Sequence, residues 1–570
     1  MTATTLQDVS LQDKYTKPFG RIYLSGVQAL VRLPLLQRAR DRAAGLNTGG
    51  FISGYRGSPL GMYDSALWGA KEHLAAANIQ FQPGLNEDLA ATSVWGSQQV
   101  GMFPGATVQG VFGIWYGKGP GVDRSADALK HANAAGTSRY GGVLALAGDD
   151  HGCQSSTLPH QSEQIFQAAM MPILNPATVQ EYLDFGVFGF ALSRYSGCWI
   201  GFKAISETAE SSASIAADPR RMQFVEPADF EIPMGGLHIR WPDPPLEAER
   251  RLHGPKMQAV AAFARANQID RVVLDSPAPR LGILTTGKAY LDVRQALSDL
   301  GLSEEACKAM GLRIYKVGLV WPLEVEGARR FAAGLKDVLV VEEKHGFIED
   351  QFVRALYNMD VSRRPSVVGK RDELGVPLLP SEGELSPTLV ARAILSRLER
   401  MGSGNPQLAQ RLARLESFER VAATPQIKSQ RAPFFCSGCP HNTSTQLPEG
   451  SRAMAGIGCH GMATWMPNRN TQTITHMGGE GANWIGQAAF TAEKHVFQNL
   501  GDGTYTHSGL LAIRAAAAAG VNNHLQDSIQ RRCGDDRRPI CRKWLHGTSD
   551  RFADGGRRRE ARRDRFRRAE

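Results

Sequence analysis

At 570 residues and 62.0 kDa, with 42% hydrophobic residues, the chain has apolar content for several cores, and three or four domains are expected. No apolar run reaches the roughly 18 residues of a membrane span, and residues 1–20 are polar without the apolar stretch of a secretory signal, which predicts a cytoplasmic protein. The formal charge of +9 suggests nucleic acid only until it is located: residues 523–570 hold fourteen Arg and one Lys against eight Asp or Glu, a net +7, so the rest of the chain is nearly neutral.

Residues 21–240 read as one α/β domain after a short extension over residues 1–20. A glycine-rich strand end, Phe51-Ile52-Ser53-Gly54-Tyr55-Arg56-Gly57-Ser58-Pro59-Leu60-Gly61, is followed by Pro83-Gly84-Leu85-Asn86-Glu87-Asp88-Leu89-Ala90 opening a helix. The apolar run Gly142–Ala147 then ends in Gly148-Asp149-Asp150-His151. Alternating strands and helices with polar residues at strand ends predict a mostly parallel sheet with its ligand at the carboxyl edge. Glu87 stands at a helix start, where a carboxylate serves either the helix dipole or chemistry.

The composition changes at Trp241-Pro242-Asp243-Pro244-Pro245, and a charged helical linker (241–280, with its helix over Leu246–Gln268) leads to a middle α/β domain, 281–400. Strands are predicted at Leu281–Thr286, Leu312–Leu319 and Val338–Glu343. Here Gly282-Ile283-Leu284-Thr285-Thr286-Gly287-Lys288 has the spacing of a phosphate-binding P-loop. The next residue is Ala289 instead of Ser or Thr, so the Mg²⁺-binding hydroxyl is missing, and Gly282 lies inside the strand. A nucleotide-binding enzyme is the weaker reading.

A polar helical linker, 401–432, precedes the last α/β segment, 433–522. It opens with Phe434-Phe435-Cys436-Ser437-Gly438-Cys439-Pro440-His441-Asn442, and Gly456-Ile457-Gly458-Cys459-His460-Gly461 follows. Cys436, Cys439 and Cys459, each beside glycines, suit a [4Fe–4S] cluster, zinc, or inert thiols in tight turns. A metal needs a fourth ligand, and Cys533 and Cys541 are the only later cysteines. The apolar stretch His495–Leu500 then enters Gly501-Asp502-Gly503-Thr504-Tyr505 and an Ala-rich helix closing at Gly520. A strand, a glycine turn and a helix make a diphosphate cradle: Gly501 and Gly503 let amides approach a phosphate, and Asp502 offers Mg²⁺ an oxygen.

These motifs together resemble the 2-oxoacid:ferredoxin oxidoreductases, and among them the indolepyruvate ferredoxin oxidoreductases in their long, fused bacterial form. The resemblance rests on Cys-x-Gly-Cys-Pro-His, Gly-x-Gly-Cys, Gly478-Gly479-Glu480-Gly481-Ala482-Asn483-Trp484 and Gly-Asp-Gly-Thr-Tyr, preceded by Ser-Gly-Tyr-Arg-Gly-Ser-Pro-Leu-Gly, Asn-Glu-Asp, Gly-Asp-Asp-His-Gly-Cys-Gln-Ser-Ser and Gln161-Ser162-Glu163-Gln164. It spans residues from about 20 to 522. It implies a thiamine-diphosphate-binding α/β fold with parallel sheets, a middle α/β domain like the transketolase C-terminal domain, and an incomplete C-terminal α/β domain. It further implies oxidative decarboxylation of an aryl 2-oxoacid with thiamine diphosphate, Mg²⁺ and a [4Fe–4S] cluster. Coenzyme A would be the cosubstrate, ferredoxin the electron acceptor, and the assembly a homodimer, with no membrane or nucleic-acid partner. Glu87 falls where the family has the glutamate that bonds the aminopyrimidine ring. Arg56 and Ser58 are the candidates for gripping the substrate carboxylate. Gly479, Glu480 and His441, with Gly501, Asp502 and Gly503, would line the cofactor; Asp502 would bind Mg²⁺, and Cys436, Cys439 and Cys459 the cluster.

After Asn522 the family pattern is expected to stop. A return strand should bring an Asn or Asp to the Mg²⁺, yet residues 523–570 hold only six Leu, Ile, Val or Phe in 48, a composition of disorder. Translation in a shifted frame would produce such a stretch, and a basic tail for RNA or membrane lipid is the alternative. On this reading the chain is truncated, lacks the strand beyond the Ala-rich helix, and neither binds thiamine diphosphate nor acts as an enzyme.

Overall fold

The computed structural model describes residues 9–423 and 433–528. The chain forms two compact units, 1–426 and 427–570.

The first unit is built on two α/β sheets. The larger has seven strands in the order Leu319–Trp321, Ile173–Leu174, Trp199–Lys203, Val143–Gly148, Gly110–Lys118, Thr48–Gly54 and Ile79–Phe81. All its pairings are parallel except that of Leu319–Trp321 with Ile173–Leu174. Val143–Gly148 is buried at every residue, as the apolar run of a central strand covered on both faces requires. The second sheet has the order Ser366–Val368, Asp337–Val341, Leu281–Thr286, Leu312–Val317 and Arg271–Leu274, antiparallel only at the last pair.

The expected boundary between first and middle domains is bridged in two ways. Arg271–Leu274, inside the stretch read as linker, is an edge strand of the second sheet. The chain then leaves Leu312–Val317 and, after Gly318 alone, pairs Leu319–Trp321 onto the edge of the first sheet. One apolar cluster follows, in which Phe166 and Trp199 of the first sheet's layers pack in the same core as Val317, Phe331 and Phe347. The P-loop spacing makes no phosphate cradle. A Cβ at Gly282 would fall 2.5 Å from Leu335, and Lys288 Nζ is committed to Asp292 (2.9 Å), Glu343 (3.0 Å) and the Leu385 carbonyl (2.7 Å).

The second unit holds a four-stranded parallel sheet in the order Thr471–Ile474, Ala453–Ala455, Val496–Gly501 and Asn523–Ser528. The last strand corrects the expectation that no strand follows the Ala-rich helix. Leu510–Ala518 ends, Gly520 turns at φ +67°, and residues 523–528 pair in parallel along the whole of Val496–Gly501. Averaged over 48 residues the composition hides one short strand, because edge pairing needs backbone hydrogen bonds more than apolar side chains. The expected frame shift and basic tail, with Cys533 and Cys541, otherwise lie outside the described residues. Among the described residues no helix is long and apolar enough to cross a membrane.

Candidate active site

In the second unit, Gly501-Asp502-Gly503 caps the carboxyl end of the Val496–Gly501 strand, and a helical run from Asp502 to Ala518 follows it directly. Asp502 Oδ1 accepts the Gly503 amide at 2.8 Å. Thr504 Oγ1 donates to the Ile457 carbonyl at 3.1 Å, which ties the start of the helix to the loop after Ala453–Ala455. The backbone register sets Ser528 beside Gly501 and Asp527 beside Leu500. Asp527 is an acidic residue 25 positions beyond Asp502, a spacing the sequence already held.

His441 is buried near this turn. Burial lowers its pKa, and the Asp502 carboxylate acts in the opposite sense. Its ring centroid is 5.8 Å from that of His460, which is 1% exposed. Burial, and secondarily His441, holds His460 down at about 4, so the ring is neutral at physiological pH. Glu480 has a bracing part: its two carboxylate oxygens accept the amides of Ile457 (3.2 Å) and Gly478 (2.7 Å), while a Cβ at Gly456 would fall 2.2 Å from its side chain. Burial raises the Glu480 pKa against those backbone bonds. Gly479 leaves room for the His476 ring, 2.6 Å from where its Cβ would be.

The cysteines depart from expectation. Cys436 and Cys439 share one turn, closed by the Cys439 amide on the Cys436 carbonyl (3.0 Å), whereas Cys459 begins a separate 3-10 turn, and Cys436 and Cys459 are exposed. Among the described residues no three His, Cys, Asp or Glu side chains gather as a metal-binding group. Adjacency to glycines sets each turn but not the distance between turns.

In the first unit, Glu87 is the first residue of the helix Glu87–Gln98, capped by Asn86, whose side chain accepts the Leu89 amide. Glu87 is 6% exposed, and Trp115 Nε1 donates to its carbonyl at 2.8 Å. Its carboxyl lies against Gly121, where a Cβ would come within 2.6 Å of Cγ and 2.7 Å of Oε1. The Gly54–Gly61 turn leaves Arg56 exposed and carries Ser58, whose Oγ accepts from Ser155 Oγ at 2.7 Å. The loop that carries Ser155 is organised by Asp150, which accepts the amides of Gln154 and Ser155 and the Ser156 hydroxyl. Burial opposes ionisation of Asp150, but those bonds hold its pKa below the ordinary value.

Beneath that loop is a buried charge network present in the motifs but unassigned from sequence. Lys203 Nζ contacts Glu163 Oε1 (2.6 Å), Asp149 Oδ2 (3.3 Å) and His151 Nε2 (3.3 Å). Asp149 also accepts the Ser162 amide and hydroxyl and faces His160, which bonds Asp123 at 2.7 Å. Burial works against charge at Asp149, but Lys203 and then His160 hold its pKa well below the usual carboxylate range. His160 is raised to about 9, because bonds to Asp123 and Asp149 outweigh its burial. His151, buried beside the Lys203 ammonium, is lowered to about 3. The network pins the end of the Val143–Gly148 strand, and with it the loop that reaches Ser58.

Known proteins match the chain along most of its length. A family model described as the indolepyruvate ferredoxin oxidoreductase middle domain matches residues 270–425. The indolepyruvate oxidoreductase subunit IorA of Methanothermobacter marburgensis is 24% identical over 510 residues, covering 86% of this chain and 72% of that protein. The subunit of the same name from Pyrococcus abyssi is 22% identical over 529 residues, with 89% and 74% covered. Among solved structures, 2-oxoglutarate:ferredoxin oxidoreductase from Magnetococcus marinus aligns at a TM-score of 0.48 and 16% identity, over 67% of this chain and 65% of that one. These relatives span both units and the matched middle segment, and over most of its length the chain is similar to the indolepyruvate ferredoxin oxidoreductases.

Proposed function

We propose that this chain binds thiamine diphosphate with Mg²⁺ and carries out the decarboxylating step of an aryl 2-oxoacid oxidoreductase, indolepyruvate being the model substrate, with coenzyme A as acyl acceptor and ferredoxin as electron acceptor. The observation that carries the reading is the Gly501-Asp502-Gly503 turn, set between a parallel strand and a helix, with the buried His460 ring against it. The residues present fit the cofactor: Gly501 and Gly503 leave the turn between strand and helix without side chains, the buried His460 ring lies beside Gly501, and Asp502 supplies a hard oxygen ligand. Bound thiazolium supplies the carbon nucleophile that loss of CO₂ from a 2-oxoacid requires.

The protein's part is to hold and to move protons. Gly501 and Gly503 give the diphosphate backbone access, Asp502 takes the Mg²⁺, and Glu480 keeps the facing loop in place through Ile457 and Gly478. Glu87, buried at a helix start against Gly121, shares a proton with the aminopyrimidine ring nitrogen. Arg56 provides an exposed guanidinium for the substrate carboxylate, and Ser58 a hydroxyl positioned by Ser155. Electrons leave for ferredoxin through a partner, as suits relatives named as subunits. The return strand Asn523–Ser528 removes one ground for expecting an inactive chain.

Thiamine diphosphate exchange of its C2 proton, followed by NMR in the presence of protein, tests the reading. The unmodified chain accelerates exchange, and Glu87→Gln slows it by about 10²- to 10⁴-fold with the fold retained. Equal exchange in the two proteins removes Glu87 from the mechanism.

A further inference from the structure

The His460 ring is buried to 1% exposure, and both Nδ1 and Nε2 lack a hydrogen-bond partner among the described residues. Burying a polar group without a partner costs free energy, and an imidazole brings both a donor and an acceptor to the problem. The polypeptide around it is shaped to admit the ring. A Cβ at Gly458, which has φ +151°, would lie 2.9 Å from Cε1 and 3.0 Å from Nδ1. At Gly501 a Cβ would be in van der Waals contact with His460 Cε1 (3.7 Å) and Nδ1 (3.9 Å). The ring therefore lies on the residue that opens Gly501-Asp502-Gly503, with the His441 ring centroid 5.8 Å away.

We propose that His460 is a diphosphate ligand, its ring N–H donating to a phosphoryl oxygen seated on the Gly501-Asp502-Gly503 turn. The inference rests on the cofactor reading above and adds to it a residue the motifs did not assign. An imidazole N–H is a donor, and an ionised phosphoryl oxygen makes the bond charge-assisted. The ring has its place because a side chain at Gly458 would displace it, and it lies in van der Waals range of Gly501.

The test uses the full chain titrated calorimetrically with inorganic pyrophosphate, and separately with thiamine diphosphate, at fixed Mg²⁺. His460→Phe keeps a flat ring without the donor and is expected to raise the pyrophosphate Kd about 10- to 100-fold, and His460→Gln less, because its amide can donate. Circular dichroism checks the fold of both variants. The unmodified chain, labelled with ¹⁵N at histidine, gives a second measure: one ring-nitrogen resonance, absent in His460→Gln, moves as pyrophosphate is added. Unchanged pyrophosphate affinity in His460→Phe, with affinity lost in Asp502→Asn, overturns the assignment of His460 and leaves the cofactor reading standing. An unmodified chain that binds neither pyrophosphate nor thiamine diphosphate overturns both. A labelled chain that binds pyrophosphate with no histidine resonance moving overturns the His460 assignment even if the variants fail to fold.

Discussion

Replacing Lys203 with Met removes a cation that reaches both Glu163 and Asp149, at 2.6 and 3.3 Å, in a cluster where Lys203 is 2% and Asp149 0% exposed. Breaking a buried pair from one side costs about 3–5 kcal/mol, since the remaining charges keep their desolvation penalty and lose their partner. The pH dependence has a definite sign. Asp149 is held below its unfolded value, so its contribution is present above the ordinary carboxylate pKa, near 3.9, and is lost as pH falls. In the Met variant Asp149 regains its proton more readily, so the deficit shrinks toward acid. Urea unfolding at pH 7.5 and pH 4.5, followed through the buried Trp115 and Trp199, measures both effects. A loss below about 1 kcal/mol, or one equal at the two pH values, would refute the argument that Lys203 neutralises buried charge.

Gly121→Ala should displace the Glu87 carboxyl, since the new Cβ would sit 2.6 Å from Cγ; C2-proton exchange on thiamine diphosphate then falls toward the Glu87→Gln level while circular dichroism stays native, and unchanged exchange would show that Glu87 has room to shift. His160, raised to about 9 from an unfolded value near 6.5, contributes stability that is complete below pH 6.5 and disappears as pH rises through 9. The thermal midpoint should therefore drop over that window in the native chain and drop less in His160→Gln; parallel curves for the two proteins would contradict the assignment.

Much of the site was legible from local pattern. The strand, glycine turn and helix around Asp502, the Asn86 cap that puts Glu87 at a helix start, and the failure of the P-loop spacing at Ala289 all depend on residues within a few positions of one another. Local propensity and spacing decide such features, and the structure has the α/β class with parallel sheets that they predict. Even so, one local signal was diluted: the strand Asn523–Ser528 vanished into the average of an Arg-rich tail.

What tertiary structure alone decided concerns pairings between distant segments. Nothing in Leu319–Trp321 says that it leaves the Leu312–Val317 sheet to edge the one containing Ile173–Leu174, because an apolar strand suits either sheet and the choice is made by the partner. That Glu480 braces the facing loop is decided by Ile457 and Gly478, which present their amides to it. Cys436 and Cys439 stay apart from Cys459 as a metal-binding group because a turn fixes its own residues and not the gap to the next turn. His460 is likewise one polar letter beside a cysteine in the sequence; its burial against Gly458 and Gly501, with no ring-nitrogen partner among the described residues, is a property of three-dimensional enclosure that no spacing encodes.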